Sequence, residues 1–210
     1  MWRFDWQPDC NVLDVSTDAN WCGCKLTRKS TSGGTIVRGG HLIKAWSKTQ
    51  AILAKSSAES ELYAVVKGGC EGLGVSTLLR DLGELAAEVR MHIDATAAKG
   101  IIERRGLNKL RHIELDILWL QEQKARKLLP VDKVPGQDNV ADLMTKNLAA
   151  SVIDKYVDML NLYFAGGRSE IAQNLHSVVN KYIAFKTVIQ AGSKPIKSES
   201  YLDKIDETTS

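Results

Sequence analysis

The chain has 210 residues, of which 44% are hydrophobic and 25% charged, and its formal net charge is +3. This composition is typical of an ordinary globular protein with one substantial core, so we expect one domain with an appendage. The mildly basic balance is compatible with a polyanionic partner but does not require one. No apolar stretch approaches the roughly 20 residues of a membrane-spanning helix, and we therefore expect no membrane segment.

The first residues bear on where in the cell we expect the protein to be. Met1–Trp6 contains an acidic residue and lacks the apolar stretch of a secretory signal. We therefore expect an intracellular, cytoplasmic protein in a reducing environment.

The four cysteines do not predict a zinc site. Cys22 and Cys24 have one residue between them, whereas zinc-binding pairs usually have two or more. We interpret Cys70 as a small core residue and the others as reduced thiols.

The first part of the chain predicts three antiparallel strands. Residues 11–18 mix β-branched and polar side chains, as a half-buried strand does. The polar, basic residues 25–34 predict a hairpin loop, and residues 35–38 resume a strand. The glycines at 39 and 40 then turn the chain into a third strand over residues 41–47.

A helix follows these strands. Ser56 and Glu59 have the spacing of a capping box, and hydrophobic residues then recur at helical intervals. Gly72 and Gly74 predict that this helix breaks or ends near them.

The second half alternates strands and helices. The pattern predicts a strand over 89–94, helices over 95–105 and 111–129, a short strand over 131–134 and a last helix over 139–146. The order of elements predicts a mixed α/β sandwich.

We expect four regions along the chain. Residues 1–10 form an N-terminal extension, residues 11–148 the domain, and residues 149–190 a helical extension. Residues 191–210 are rich in Lys, Ser, Asp and Glu, which predicts a disordered tail.

Four acidic residues are candidates for one site. Asp18 and Asp94 end the first and fourth predicted strands, Glu61 lies on the first helix, and Asp142 lies on the last. If those two strands are neighbours, the acids meet at one edge of the sheet, where their repulsion would require divalent cations. The competing interpretation is that they belong to the solvated surface, because the chain has 25 acidic residues and spacing alone does not select these four.

Seven short segments stand out, in one order along the chain. They are Ser16–Gly23, Arg28–Gly33, Ala45–Gln50, Ser56–Tyr63 (Ser-Ser-Ala-Glu-Ser-Glu-Leu-Tyr), Ile93–Ala98, Arg111–Asp116 and Asn139–Lys146. Together they resemble the ribonuclease H domain of copia-type retrotransposon Pol polyproteins. Ser56–Tyr63 resembles the family's Ser-Ser-Thr-Glu-Ala-Glu-Tyr helix, and Asn139–Lys146 resembles its closing Ala-Asp-Ile-Leu-Thr-Lys.

The resemblance implies a ribonuclease H-like fold over residues 11–148, with a five-stranded sheet of three antiparallel strands followed by parallel strands. It implies cleavage of the RNA strand of an RNA–DNA hybrid with two Mg²⁺ ions, for which Mn²⁺ can substitute. Asp18, Glu61, Asp94 and Asp142 are the implied catalytic residues and metal ligands. The expected partners are the hybrid and other parts of a polyprotein, and a virus-like particle or the nucleus becomes an alternative location.

Two departures from the family pattern stand out. Asn20 replaces an acidic residue that is common in the opening motif. Many ribonucleases H also carry a histidine before the last acid, and residues 135–138 contain none. We expect the second departure to alter proton transfer or product release.

Basic and hydroxyl side chains in two loops are candidate contacts to the nucleic-acid backbone. The competing interpretation is a solvated basic surface and ordinary turn chemistry. The candidates are Lys25, Arg28, Lys29, Ser30, Thr31, Ser32, Arg104, Arg105, Lys109 and Arg111.

Three functions remain open from the sequence. The first is the active hybrid nuclease, and the second is a catalytically decayed fragment that only binds nucleic acid. The third is a related metal nuclease such as an integrase core or a junction resolvase, which the segments above do not fit.

Overall fold

The computed structural model describes residue 7, residues 10–106 and residues 111–162, with only the backbone of Arg111. These residues belong to one compact unit within Met1–Phe164. The predicted C-terminal tail, and the expected extensions except for residues 7, 10 and 149–162, lie outside the described residues.

The centre of the domain is a five-stranded mixed sheet in the order β3-β2-β1-β4-β5. β1 pairs antiparallel with β2, and β2 with β3, whereas β1 with β4 and β4 with β5 are parallel. The predicted fold class is therefore confirmed. The strands are β1 (Val12–Asn20), β2 (Thr31–Arg38), β3 (His41–Thr49), β4 (Glu88–Ile93) and β5 (Val131–Lys133).

Within the described residues, four α-helices and three short 3-10 helices connect or follow the strands. None of the described helices has the length and apolar character needed to cross a membrane. The α-helices are α1 (Ser57–Asp81), α2 (Thr96–Glu103), α3 (Glu114–Ala125) and α4 (Ala150–Met159). The 3-10 helices are Arg111–Ile113, Gly136–Asp138 and Val140–Met144.

The main core lies between the sheet and the helices α1, α2 and α3. Alternate residues of β1 and β4, such as Leu13 and Met91, point to this side and are fully buried. Leu62 and Val65 on α1 and Ile117 on α3 cover them. Each such side chain contributes about 1.5–3 kcal/mol by leaving water, which anchors α1 to the strands that carry the acids.

Helix α1 continues for 25 residues and does not break near Gly72 and Gly74, so that prediction is wrong. Gly68 and Gly72 face the sheet, where an added Cβ would lie 2.3 Å from Thr17 Cγ2 and 2.7 Å from Val89 Cγ1. These glycines therefore let the helix approach the strands closely, and the packing outweighs their low helix propensity. Cys70, interpreted as a core residue, lies on the opposite side of the helix and is exposed.

Strand β2 begins at Thr31 and not at Thr35, so the predicted loop over 25–34 is too long. The misread residues include Gly33 and Gly34. An added Cβ at Gly34 would lie 2.2 Å from Trp46 Cζ2, and one at Gly33 would lie 2.5 Å from Met144 Cβ. The glycines are needed here for close packing within a strand and not for a turn.

Two predicted helices differ in length or winding. α3 ends at Ala125 and not at Leu129, because Lys127 adopts a left-handed conformation (φ 58°) and the Leu128 amide bonds back to Gln123 O. The segment predicted as a helix over 139–146 forms a 3-10 helix, Val140–Met144.

α4 packs on the domain through a second, smaller cluster. Tyr156 and Leu160 are 1% and 2% exposed and contact a group that includes Leu42 of β3 and Val140. The ammonium of Lys155 also lies 2.8 Å from Asp138 Oδ1. The first turns of the expected C-terminal extension are therefore joined to the sheet.

Candidate active site

The parallel pairing of β1 and β4 places Asp18 beside Asp94. Ser16 lies opposite His92 in the register, so the two aspartates, each two residues further along, are level at the same edge of the sheet. Side chains two apart on a strand point to the same side, so both carboxylates emerge together. Asp18 is 1% exposed, while Asp94 follows the last residue of β4 and is half-buried.

Helix α1 brings Glu61 to this edge. Ser56 caps the helix by accepting a 3.2 Å hydrogen bond from the Glu59 amide, which fixes where its first turn begins. Glu61 then lines a cavity of about 300 Å³ together with Asp18, Asp94 and Lys146. Burial, followed by the charges of Asp18 and Asp94, raises the pKa of Glu61 to about 8.

The last 3-10 helix supplies Asp142. Asn139 is fully buried, accepts a hydrogen bond from the Ala141 amide, and donates one of 3.0 Å to Thr17 O on β1. This side chain therefore ties the segment to the strand residue next to Asp18. One carboxylate oxygen from each of Asp18, Asp94 and Asp142 lies within 4.8 Å of the other two.

Two residues that follow Asp142 complete the cluster. The Lys146 ammonium lies 3.1 Å from Asp18 Oδ1 and 2.7 Å from Asp142 Oδ1, and the Thr145 hydroxyl donates to Asp18 Oδ2. Burial lowers the pKa of Lys146, but the hydrogen bond to Asp142 and the charge of Asp18 outweigh it, so the net pKa lies above the ordinary value. The ammonium thus bridges two of the four carboxylates, those of Asp18 and Asp142.

This donor set fits a hard divalent cation. Carboxylate oxygens are the ligands that Mg²⁺ and Mn²⁺ prefer, and three of them are already close enough to share an ion. Burial, and after it the charges of neighbouring aspartates, raises the pKa of both Glu61 and Asp142, so the ionised carboxylates are unfavourable here without a further cation. Among the described residues, no other group of His, Cys, Asp or Glu side chains has this arrangement.

A short segment from Pro135 to Asp138, in which the sequence showed no histidine, borders the acids. An added Cβ at Gly136 would lie 3.3 Å from Asp94 Oδ2, so the backbone passes directly beside that carboxylate. α4 holds this segment: Tyr156 Oη donates to Gly136 O at 3.3 Å, and Lys155 Nζ donates to Gln137 O at 2.8 Å.

The candidate contacts to nucleic acid fall into different environments. Lys25, Arg28 and Arg105 are exposed, while Lys29, Thr31 and Arg104 are half-buried. The loop that contains Lys25 and Arg28 connects β1 to β2, at the edge of the sheet that carries Asp18. Lys109 and the side chain of Arg111 lie outside the described residues.

Two hydroxyl candidates are not available at the surface. Ser30 is fully buried and accepts a hydrogen bond from the Cys22 amide, and Ser32 is 3% exposed and bonds to Gln50 Nε2. Their hydroxyls stabilise the start of β2, which does not favour the expected contact with sugar or phosphate, and that contact stays a prediction.

Some residues of the cluster were missed by sequence reasoning. A lysine four residues after an acid is common on exposed helices and gave no signal for Lys146. Thr145 and Asn139 were noted only as parts of the segment Asn139–Lys146. Asn20, a departure from the family pattern, donates a 3.2 Å hydrogen bond to Thr145 O and thereby supports the same segment.

Comparison with known proteins agrees with the resemblance. No family model matches the chain. The retrovirus-related Pol polyprotein from transposon TNT 1-94 of Nicotiana tabacum is 29% identical over 136 residues, 64% of this chain. Those from transposons RE1 and RE2 of Arabidopsis thaliana are 27% identical over 152 residues (71% of this chain) and 30% over 139 residues (65%). The chain spans about a tenth (10%) of the length of each relative.

A solved structure supports the fold independently of the sequence. LC11-RNase H1, isolated from compost by a metagenomic approach, superposes with a TM-score of 0.50 at 17% identity, over 70% of this chain and 99% of that chain. At this identity the likeness concerns the fold alone. The homologues of the chain are copia-type retrotransposon Pol polyproteins, of which it corresponds to one segment, and that segment has the ribonuclease H fold.

Proposed function

We propose that the chain is a metal-dependent endoribonuclease that hydrolyses the RNA strand of RNA–DNA hybrids. The observation that supports this most is the close approach of Asp18, Asp94 and Asp142, each with a carboxylate oxygen within 4.8 Å of the other two. Glu61 lines a cavity at the same edge of the sheet together with Asp18 and Asp94. An acidic cluster of this density is costly without cations, at about 4 kcal/mol for each pair of like charges 4 Å apart. Divalent cations bound between the carboxylates would offset this repulsion.

The residues have separate roles in this proposal. Asp18, Asp94 and Asp142 hold the divalent ions, and Glu61 joins them once it has lost its proton. Two bound Mg²⁺ ions would supply activation of water and stabilisation of the leaving oxygen. The backbone at Gly136 lies beside Asp94, and Asn139 ties the segment that carries Asp142 to Thr17, the residue before Asp18.

The exposed basic residues fit a polyanionic substrate. Lys25 and Arg28 lie in the loop near the acidic edge, next to the half-buried Lys29, and Arg105 follows the C-terminal end of α2. Contacts from these residues to phosphates would position the hybrid without reading its sequence. The family context adds the proposal that the substrate arises during reverse transcription, next to other parts of a polyprotein.

Cleavage of a labelled hybrid by the full chain tests the proposal. The wild type should cut the RNA strand with Mg²⁺ or Mn²⁺, stop when EDTA is added, and leave the matching RNA duplex largely intact. Asp94→Asn should lower the rate by about a thousandfold or more, because it removes a ligand that acts on the reacting groups. Asp81→Asn, at the far end of α1, is the matched control and should retain the wild-type rate.

A catalytically decayed fragment gives a different result. Such a protein would bind the hybrid in a salt-dependent manner, yet show no turnover with either metal. Full activity of a folded Asp94→Asn variant would also remove the proposed mechanism.

A further inference from the structure

Lys146 occupies the space between two of the acids. Its ammonium lies 3.1 Å from Asp18 and 2.7 Å from Asp142, and both of these carboxylates are nearly buried, at 1% and 8% exposed. Among the described residues it is the one basic side chain that forms an ion pair with any of the four acids of the cluster. A single positive charge therefore holds together the parts of the site supplied by β1 and by the last 3-10 helix.

We propose that Lys146 is a built-in counter-ion that takes the place of a metal ion between Asp18 and Asp142 and must leave when a divalent cation binds there. The inference rests on the proposed function, because it concerns the same acids. It goes beyond that function because it assigns a competitor for the metal within the chain itself.

The contacts explain why the two cations exclude each other. The ammonium bonds to Oδ1 of both aspartates, and these oxygens are donors that a shared metal ion would need. A second cation in the same space would also be repelled by the fixed positive charge, since charges a few ångströms apart interact strongly at a partly buried site. Metal binding therefore requires that the lysine withdraw.

The side chain is able to withdraw. The Lys146 side chain is 39% exposed, and it lines the cavity that opens to solvent. A lysine carries its charge on a flexible four-carbon stem, so the ammonium can move into water without changing the backbone. The metal-free and metal-bound proteins then differ by a rotation of one side chain.

Direct Mn²⁺ binding to the full chain, without nucleic acid, tests the inference. Titration calorimetry should show that Lys146→Met binds Mn²⁺ on the order of tenfold more tightly than the wild type, because the competing charge is gone. Lys146→Arg keeps the charge and should remain close to the wild type. Lys44→Met is the matched control, since it breaks an ion pair with Glu71 outside the site and should leave the affinity unchanged.

Thermal unfolding supplies a second readout. In EDTA, Lys146→Met should unfold at a lower temperature than the wild type, because the carboxylates lose their counter-ion. In saturating Mn²⁺ it should gain more stability than the wild type gains, as tighter binding to the folded state requires.

The outcomes separate this inference from the proposed function. Unchanged or weaker Mn²⁺ affinity in a folded Lys146→Met protein, or no Mn²⁺ binding by either protein, overturns the counter-ion role. Tighter binding in that variant, combined with no hybrid cleavage by the wild type, supports the counter-ion role and overturns only the nuclease.

Discussion

At the scale of residues, the site stores unfavourable electrostatic energy in the metal-free protein. Glu61 lies near Asp18 and Asp94 in a partly buried cavity. Because its pKa is about 8 in the folded protein, Glu61 keeps its proton at neutral pH, where the same side chain in the unfolded protein is ionised. The Ala19 backbone and Lys146 stabilise the charged form of Glu61, but burial outweighs them. Metal binding should therefore release this proton at neutral pH.

This proton gives a prediction for stability in EDTA. Between pH 4.5, the ordinary value for Glu61, and pH 8, its folded-state value, the folded protein binds more protons than the unfolded chain. The free energy of unfolding should therefore fall as the pH rises through this window. Glu61→Gln removes the titration, so urea denaturation should show a shallower fall and a more stable protein at pH 8. Parallel pH profiles for the two proteins would contradict the prediction.

The site could be predicted from the sequence only in part. Strand ends made Asp18 and Asp94 plausible neighbours, but 25 acidic residues offered many alternatives, and the resemblance selected the four. Lys146 could not be predicted, because its role depends on the distance between β1 and the last 3-10 helix. The burial of Ser30 and Ser32 could not be predicted either, because local polarity does not show which side chains the rest of the fold will cover.

At the scale of elements, glycine in α1 shows how packing overrides local propensity. A glycine within a helix costs about 1 kcal/mol relative to alanine, so a pair of them predicts a break. The strand pattern gives no information on how closely a helix will approach the sheet. Gly68 and Gly72 lie where that approach is closest, and Gly74 faces solvent.

Two alanine substitutions on this helix should have opposite effects on stability. Gly68→Ala places a Cβ 2.3 Å from Thr17 Cγ2 beside Asp18, so we expect a loss of roughly 1–3 kcal/mol through overpacking. Gly74→Ala meets nothing within 4 Å and should gain about 0.5–1 kcal/mol from helix propensity. Chemical denaturation of both variants measures this. A gain in both would show that α1 does not depend on the close approach.

At the scale of the whole molecule, the kind of sheet could be predicted and the outer layer could not. The first part of the chain predicted three antiparallel strands, the element order predicted a mixed α/β sandwich, and the resemblance implied that parallel strands follow, as the sheet has it. The domain boundary proposed at residue 148 rested on a change of composition. α4 begins at Ala150 and buries Tyr156 and Leu160, and a hydrophobic periodicity alone does not say which surface such a helix covers.

The packing of α4 predicts that the stable domain extends past residue 148. Tyr156 is 1% exposed, contacts the cluster around Leu42 and Val140, and bonds to the segment beside Asp94. Tyr156→Ala should therefore cost roughly 3–5 kcal/mol, as truncation of a buried aromatic side chain does. Met159→Ala on the same helix is the control: its side chain is 47% exposed, so the change should stay within about 0.5 kcal/mol. Urea denaturation of the full chain distinguishes the two, and equal stability of both variants would mean that α4 is an independent extension and that the acidic site is complete without it.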